Sequence, residues 1–373
     1  MNFGFTEDQE LLRAQVRKFL RERSPVARTR ELANSDTGIC RETWRDMAEL
    51  GWLGLALPEA FGGSDLSWID LTVVLEEMGR SLHPSPYVST TLAACALLAH
   101  ASEDQKSEWL PKIAEGDCVA TMALNDEANT YGVDAVSLRA NPHDGDLVLH
   151  GCKRFVADAA VADIFLVAFR DAQAKLALAI LPATQPGVSI ETVRNLDRTK
   201  PSGSLRLEGV RIGADAVLGG APMGTAALES LLDLGALAAS AESIGVCEAI
   251  LEMTTEYAKQ RIQFGSPIGR YQGIKHPLAD IYVDIESMKS LTYYAAWAVT
   301  TGQDDAALAV SRAKAYCSTA INNAGVTGIQ SHGAIGYTED YDLQLFLKRT
   351  KWARASFGDE DFHYDRLTAI GHL

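Results

Sequence analysis

The hydrophobic period of this chain changes twice, and that change constrains its architecture more than any other feature of its 373 residues. Up to about Asp117 apolar residues recur at the helical spacing. From Val119 to about Leu218 they fall into short β-rich runs, and after Gly224 the helical spacing returns. A spacing of three to four buries one stripe of a helix, whereas alternation buries one face of a strand, so each pattern excludes the other's geometry. The expectation is a mainly α protein with β, divided into residues 1–116, 117–220 and 221–373.

Local signals refine this. Thr6 with Gln9 three residues on makes a capping-box pattern, and Leu11, Leu12, Val16, Phe19 and Leu20 continue it as an apolar stripe, which predicts an opening amphipathic helix. Helices are predicted over 44–50, 67–80, 90–100 and 104–114. They are separated by glycine- and proline-rich joints such as 51–63. Strands are expected over 135–139, 147–149, 164–169, 176–181 and 205–210, with Asn141-Pro142-His143-Asp144-Gly145 as a turn. Long helices are expected over 226–260, 272–301 and 304–325. Small residues crowd the first of these (Gly235, Ala236, Ala238, Ala239, Ser240, Ala241, Gly245) and let helices approach closely, as in a bundle core.

The formal charge of -15 argues against a nucleic-acid partner, because affinity there rests on neutralising phosphates with clustered Lys and Arg. A local basic pocket can still take an anionic cofactor. The six cysteines (Cys40, Cys95, Cys118, Cys152, Cys247, Cys317) have no metal-ligand spacing and read as reduced core residues, so no metal is expected. Acids in the first residues and the lack of an evident apolar run of membrane length make a cytoplasmic location, with no membrane partner, the expectation.

Three segments carry candidate chemistry: the joint 51–63, the run Arg261-Ile262-Gln263-Phe264-Gly265-Ser266-Pro267-Ile268 continuing to Asp280, and Gln330-Ser331-His332-Gly333-Ala334-Ile335-Gly336-Tyr337. Arg261 offers a planar, permanently charged fork suited to a pyrophosphate, with Phe264 one helical turn on to pack against a ligand face. Gln272 opens the next helix, where free N–H groups and an amide can meet a ligand oxygen. Gly333 lets backbone approach a ligand beside Gln330. Taken singly, an Arg at a helix end such as Arg261 is more often a C-terminal cap or surface ion pair than a ligand contact, Phe264 reads as a core residue, Gln272 as a cap and Gly333 as an ordinary turn.

Together and in this order, the three segments resemble the acyl-CoA dehydrogenase family across essentially the whole chain. The resemblance implies an N-terminal helical domain, a middle β-barrel-like domain and a C-terminal helical bundle. It also implies an FAD shared across a subunit interface, with Arg261, Phe264, Gln272, Gln330, Gly333 and Ala334 on the cofactor. The reaction implied is α,β-dehydrogenation of a coenzyme A thioester, with an electron-transferring flavoprotein as the later oxidant.

The departures from the family pattern are as informative. The family commonly carries its catalytic glutamate in a Tyr-Glu-Gly turn; here the chain reads Phe357-Gly358-Asp359. The alternative position used by some members, on the first helix of the bundle, falls on Gly235. No catalytic residue is therefore assigned. Asp359 and Glu360 are the candidates for a displaced base, with Asp233 and Asp361 also nearby, although a shift of two residues on a helix turns a side chain by more than a right angle. The flavin-ring loop of the family corresponds to Leu124–Asp134 and its Trp-x-Thr segment to Phe155-Val156-Ala157, and both have lost their usual residues. Glu360-Asp361-Phe362 replaces a Thr-Ser-Gln run. What the family lends to a neighbour survives, and what it uses for its own flavin ring does not. The pattern resembles the heteromeric α2β2 acyl-CoA dehydrogenases of bacterial steroid and lipid degradation, implying a homologous catalytic subunit as partner. A self-sufficient homotetramer with a displaced carboxylate, and a non-catalytic structural homologue, remain the alternatives.

Overall fold

The computed structural model describes residues 5–126 and 130–371. In chain order the helices α1 (Glu7–Arg23), α2 (Val26–Ala33), α3 (Arg41–Glu49), α4 (Trp68–Ser81), α5 (Tyr87–His100) and α6 (Glu103–Ala114) come first. Seven strands follow: β1 (Ala120–Ala123), β2 (Ala140–His143), β3 (Asp146–Ala157), β4 (Ile164–Arg170), β5 (Leu176–Pro182), β6 (Val188–Val193) and β7 (Ser202–Ile212). The C-terminal part holds α7 (Thr225–Gln260), a small hairpin of β8 (Ile262–Gln263) and β9 (Ser266–Pro267), then α8 (Gln272–Thr300), α9 (Ala306–His332), α10 (Leu343–Ala355) and α11 (Glu360–Gly371). These elements form two compact units. One gathers the chain up to Glu31, Trp68–His83 and everything from Ala236 on; the other holds Leu32–Ser67 and Pro84–Gly235.

In the mainly helical unit, α1 begins as its capping signature dictates: Gln9 N–H donates to Thr6 Oγ1 at 3.2 Å and Thr6 N–H to Gln9 Oε1 at 3.0 Å. The helix is then tied to α4 by charge pairs on two buried carboxylates, Arg13 to Glu76 at 2.7 Å and the half-exposed Arg17 to Glu77 through two bonds of 2.8 and 2.7 Å. Pairing is what makes these burials tolerable, since an unmatched buried carboxylate costs several kcal/mol, on the order of 3 or more. Next to them α4 and α7 touch backbone to backbone. A Cβ at Gly245 would lie 1.8 Å from the Glu76 carbonyl oxygen, and one at Gly79 would lie 2.0 Å from that of Glu242. Ile250, Ile285, Met288, Ile321 and Phe346 fill the core between α7, α8, α9 and α10.

In the mixed unit, α5 and α6 pack Ala93, Leu97, Leu110 and Ile113 with Leu166 and Leu178 of a three-stranded sheet ordered β1-β4-β5. The first part of α7 adds Leu228 and Leu231 to that core. β1 runs parallel to β4, and β5 runs antiparallel to it. A second, antiparallel sheet is ordered β2-β3-β7-β6.

Several boundaries differ from the expectation, each for a physical reason. Residues 135–139 are not a strand. Ala135 closes a short 3-10 turn, the N–H groups of Ser137 and Leu138 are taken by the Asp126 carboxylate, and Arg139 makes an isolated bridge to Arg170. Asn141, Pro142 and His143 belong to β2, and the turn is Asp144-Gly145 alone, with φ of 53 and 90, the mirror-image geometry that tight hairpins prefer. α9 continues past Gly325 because that glycine is a contact with Thr350 of α10 and not a stop. α2, β1, β6, α10 and α11 had no prediction of their own; β6 is a half-exposed edge strand with weak alternation. All six cysteines are free, and among the described residues no group of three or more His, Cys, Asp or Glu could hold a metal. One helix, α7, is long and apolar enough to cross a membrane, against the sequence expectation, but most of its apolar stretch is buried in protein.

Candidate functional site

The two outward-facing patches lie in the helical unit. α7 stops at Gln260, and Arg261 leads into the β8–β9 hairpin, where Ile262 pairs with Pro267 and Gln263 with Ser266. Phe264 is thus at a hairpin tip and not one helical turn beyond Arg261. Pro267, which has no N–H to donate, and Gly265 favour a turn over continued helix. Both tip residues have positive φ, 51 for Phe264 and 78 for Gly265. A bulky residue in that region is a true outlier costing on the order of 1–3 kcal/mol, and such strain concentrates at functional sites. Its consequence is visible: Phe264 is 92% exposed and meets Tyr271 in a T-shaped pair at 6.3 Å between centroids. The core reading of Phe264 is thereby excluded.

The hairpin is held by its base. Arg261 N–H donates to the Tyr257 carbonyl at 2.8 Å, Ile268 N–H to the Arg261 carbonyl at 2.8 Å, and the Tyr271 hydroxyl to the Gln263 carbonyl at 3.2 Å. The Arg261 side chain is exposed and has no hydrogen-bond or ion-pair partner among the described residues. Gln272 is the first residue of α8 and is also exposed. The fork, the ring and the amide are therefore all presented to solvent.

The second patch closes α9. Gly333 adopts φ 67 and ψ -145 and donates its N–H back to the Gln330 and Ile329 carbonyls. A Cβ there would meet nothing within 4 Å, so the backbone faces open space, flanked by exposed Gln330 and Ala334. The Tyr257 and His332 rings stack at 4.2 Å, joining α7, which leads into Arg261, to α9, which leads into Gly333. Sequence reading passed over both rings.

The Gly358 turn has the opposite character. Gly358 is buried with φ 98, and a Cβ would lie 2.3 Å from Phe362 Cδ1 and 2.9 Å from His363 Nε2. Its carbonyl accepts a 2.7 Å bond from Lys314, whose Nζ also reaches Ser318 Oγ at 2.7 Å and the Arg354 carbonyl at 3.1 Å. Burial pulls the Lys314 ammonium down to about 8. His363 donates from Nε2 to the Phe357 carbonyl at 3.0 Å, and burial, aided by Lys314, pushes it down to about 4, leaving it neutral. The two candidate displaced bases are already engaged. Asp359 caps α11 by accepting the Phe362 N–H at 3.0 Å, and Glu360 accepts from Arg354 Nε at 2.8 and 2.9 Å, bonds that hold it below the usual carboxylate range. Asp361 is exposed. In the sequence Lys314 is simply the second cation, after Arg312, of an Ala- and Ser-rich helix.

In the mixed unit, Gly235 is buried on α7 and Asp233 is buried near it. The loop expected to face a flavin ring is stapled by a fully buried pair, Lys153 to Asp126 at 2.7 Å, with Lys153 also bonded to the Leu124 carbonyl at 2.9 Å. Glu127–Asn129 lie outside the described residues. Phe155 sits at a bulge of β3 with φ 53 and is 68% exposed, while Ala157 pairs with Ser202.

A guanidinium fork, an amide at a helix start and open glycine backbone are groups suited to phosphate oxygens, and an exposed ring beside them can pack on a flat ligand face, so the chemistry of these residues fits the phosphate-bearing end of a dinucleotide.

Comparison with known proteins bears on the whole chain. The acyl-CoA dehydrogenase N-terminal domain matches residues 6–117, the middle domain 121–210 and the C-terminal domain 223–370. Acyl-CoA dehydrogenase IpdE2 of Mycobacterium tuberculosis is 30% identical over 92% of this chain and 91% of its own length. A structure described as a variant of the Tcur3481-Tcur3483 steroid ACAD is 31% identical, with a TM-score of 0.89 over 98% of both chains. The ChsE4-ChsE5 complex from Mycobacterium tuberculosis is 28% identical, with a TM-score of 0.90 over 100% of this chain and 98% of that one. The chain belongs to the FAD-using acyl-CoA dehydrogenase family of oxidoreductases and has its three-domain fold, helical at both ends with a central β region.

Proposed function

We propose that this chain is the partner subunit of a hetero-oligomeric acyl-CoA dehydrogenase, acting in the cytoplasm and completing an FAD site whose flavin ring and catalytic carboxylate belong to a homologous subunit. The observation that carries this reading is the contrast between two turns of one unit. The Arg261–Phe264 tip is strained, exposed and uncommitted, whereas Gly358 is buried, tied to Lys314 and followed by two carboxylates, Asp359 and Glu360, that are already bonded. Arg261, Phe264, Gln272, Gln330, Gly333 and Ala334 then hold the adenosine-diphosphate end of the shared cofactor. The engagement of Asp359 and Glu360 by a helix cap and an ion pair speaks against a displaced base. Retention of an unpartnered Arg261 speaks against a mere scaffold.

FAD, when bound, supplies the hydride acceptor for α,β-dehydrogenation of a coenzyme A thioester, and an electron-transferring flavoprotein is the proposed oxidant. In this reading residues 1–116 and 117–220 are the helical and β domains, and 221–373 is the bundle that shares cofactor and oligomerises. Two of the relatives are described as two-name assemblies, one as a complex and one as a steroid enzyme, which supports a hetero-oligomer acting on a steroid-type or lipid thioester. Without its own base the lone chain lacks a contribution of about a hundred- to ten-thousandfold. The test is purification of the chain alone and with its native partner. Flavin absorbance and turnover are expected only in the mixed complex, and about one FAD per protomer with turnover in the lone chain sinks the proposal.

A further inference from the structure

The Tyr257–His332–Tyr341 cluster touches neither patch's ligand-facing atoms, yet both patches hang from it. Tyr257 takes the Arg261 N–H on its carbonyl at 2.8 Å, stacks its ring on His332 at an interplanar angle of 25°, and donates its hydroxyl to the His332 carbonyl at 3.4 Å. His332 is 4% exposed and stands one residue before Gly333. Its Nδ1 lies 2.8 Å from the Gly328 carbonyl oxygen, which can only accept, so Nδ1 carries the proton. Burial lowers the affinity of the ring for a second proton, which leaves Nε2 as an acceptor for the Tyr341 hydroxyl at 3.1 Å. The Tyr341 ring closes the cluster, 5.1 Å from His332 and 6.5 Å from Tyr257. The same two helices are kept close at Gly328, where a Cβ would meet Ile250 Cγ2 at 2.9 Å.

We infer that Tyr257, His332 and Tyr341 are positioning residues that set the spacing between the Arg261–Phe264 tip and the Gln330–Gly333 patch, so that one FAD can be gripped by both. The inference rests on the shared-FAD reading above. Its physical basis is that ligand contacts must be held to within about half an ångström, and that the supporting residues behind them typically affect affinity ten- to a hundredfold. A stack plus a directed hydrogen-bond chain fixes both separation and rotation of the two helix ends, which apolar packing alone leaves free to slide.

The experiment uses the native complex, stripped of flavin and titrated with FAD, with Arg261→Ala as the reference. His332→Ala and Tyr257→Leu are expected to raise the FAD Kd on the order of tenfold. His332→Asn, whose amide N–H can replace Nδ1–H toward Gly328, is expected to recover part of that loss, and the similarly sized His332→Leu to recover none. Tyr341→Phe removes a single hydroxyl from a folded protein and is expected to raise Kd severalfold while the thermal midpoint of the flavin-free complex barely moves. If His332→Ala prevents assembly, Tyr341→Phe decides: an unchanged Kd overturns the inference. An Arg261→Ala complex that binds FAD normally overturns the shared-site reading itself. Weakening by Arg261→Ala without weakening by Tyr341→Phe or His332→Leu overturns only the positioning role.

Discussion

Lys314 Nζ stands 2.7 Å from the carbonyl oxygen of Gly358, and the lysine is 1% exposed with no carboxylate among its three bonded partners. Two of those partners are the Arg354 and Gly358 carbonyls, so an ammonium on α9 caps the C-terminal end of α10 and sets the turn that follows. Carbonyls left over at a helix end are natural acceptors for a cation.

This burial gives a signed pH dependence. A folded-state value of about 8, against 10.5 for an exposed lysine, means the native state binds fewer protons than the unfolded state between those values. The cost of burying the ammonium is fully present below pH 8 and is relieved as pH rises toward 10.5. Relative to Lys314→Met, the wild type is expected to gain up to about 3 kcal/mol across that window. Paired denaturant titrations at pH 7 and pH 10 check the difference, and a constant gap refutes it.

Gly358 tolerates no side chain as it stands. Its φ of 98 and the Phe362 ring 2.3 Å from a Cβ predict that Gly358→Ala destabilises the chain by about 1–3 kcal/mol. Gly358→Glu is expected to do at least as much and to leave the lone chain inactive, because the carboxylate enters space held by Phe362 and His363. Thermal melts and anaerobic flavin bleaching with a thioester measure the two effects; a stable, active Gly358→Glu chain contradicts the prediction.

Strain at the hairpin tip predicts a trade between stability and binding. Phe264→Asn places an αL-tolerant residue before Gly265, the pair that best suits this turn. It should stabilise the isolated chain by about 1 kcal/mol and weaken FAD binding by the complex. Differential scanning calorimetry and FAD titration report the two halves, and a variant that binds FAD as tightly as wild type removes Phe264 from the site.

The α4–α7 crossing should be the least forgiving position in the helical unit. A methyl at Gly245 collides with the Glu76 carbonyl at 1.8 Å, and backbone cannot rotate away as a side chain can. Gly245→Ala is expected to cost about 3 kcal/mol or more, at the upper end of overpacking effects. A soluble variant with an unchanged unfolding midpoint would show that the helices separate freely.

Local chemistry alone determined much of this protein. The capping box at Thr6 and Gln9, the switch of period near Asp117 and its return after Gly224, and the run of small residues around Gly245 each act within a few residues or a few turns, so they could be read without coordinates. Likewise the glycines at 235 and 358, and the Arg261 to Asp280 run that led to the family, are facts of composition and order.

Only tertiary structure decided the rest, because it depends on groups far apart in the chain. Residues 135–139 lost their strand to the carboxylate of Asp126, and α9 ran through Gly325 because α10 lay against it. Phe264 could be core or exposed until a hairpin put its ring in water, and nothing local showed that Asp359 would cap α11 or that Glu360 would pair with Arg354. Lys314 and His332 carried no local signal of their roles, since a buried cation or a stacked ring is defined by what surrounds it: burial and hydrogen-bond partners belong to the packed molecule and not to any segment of it.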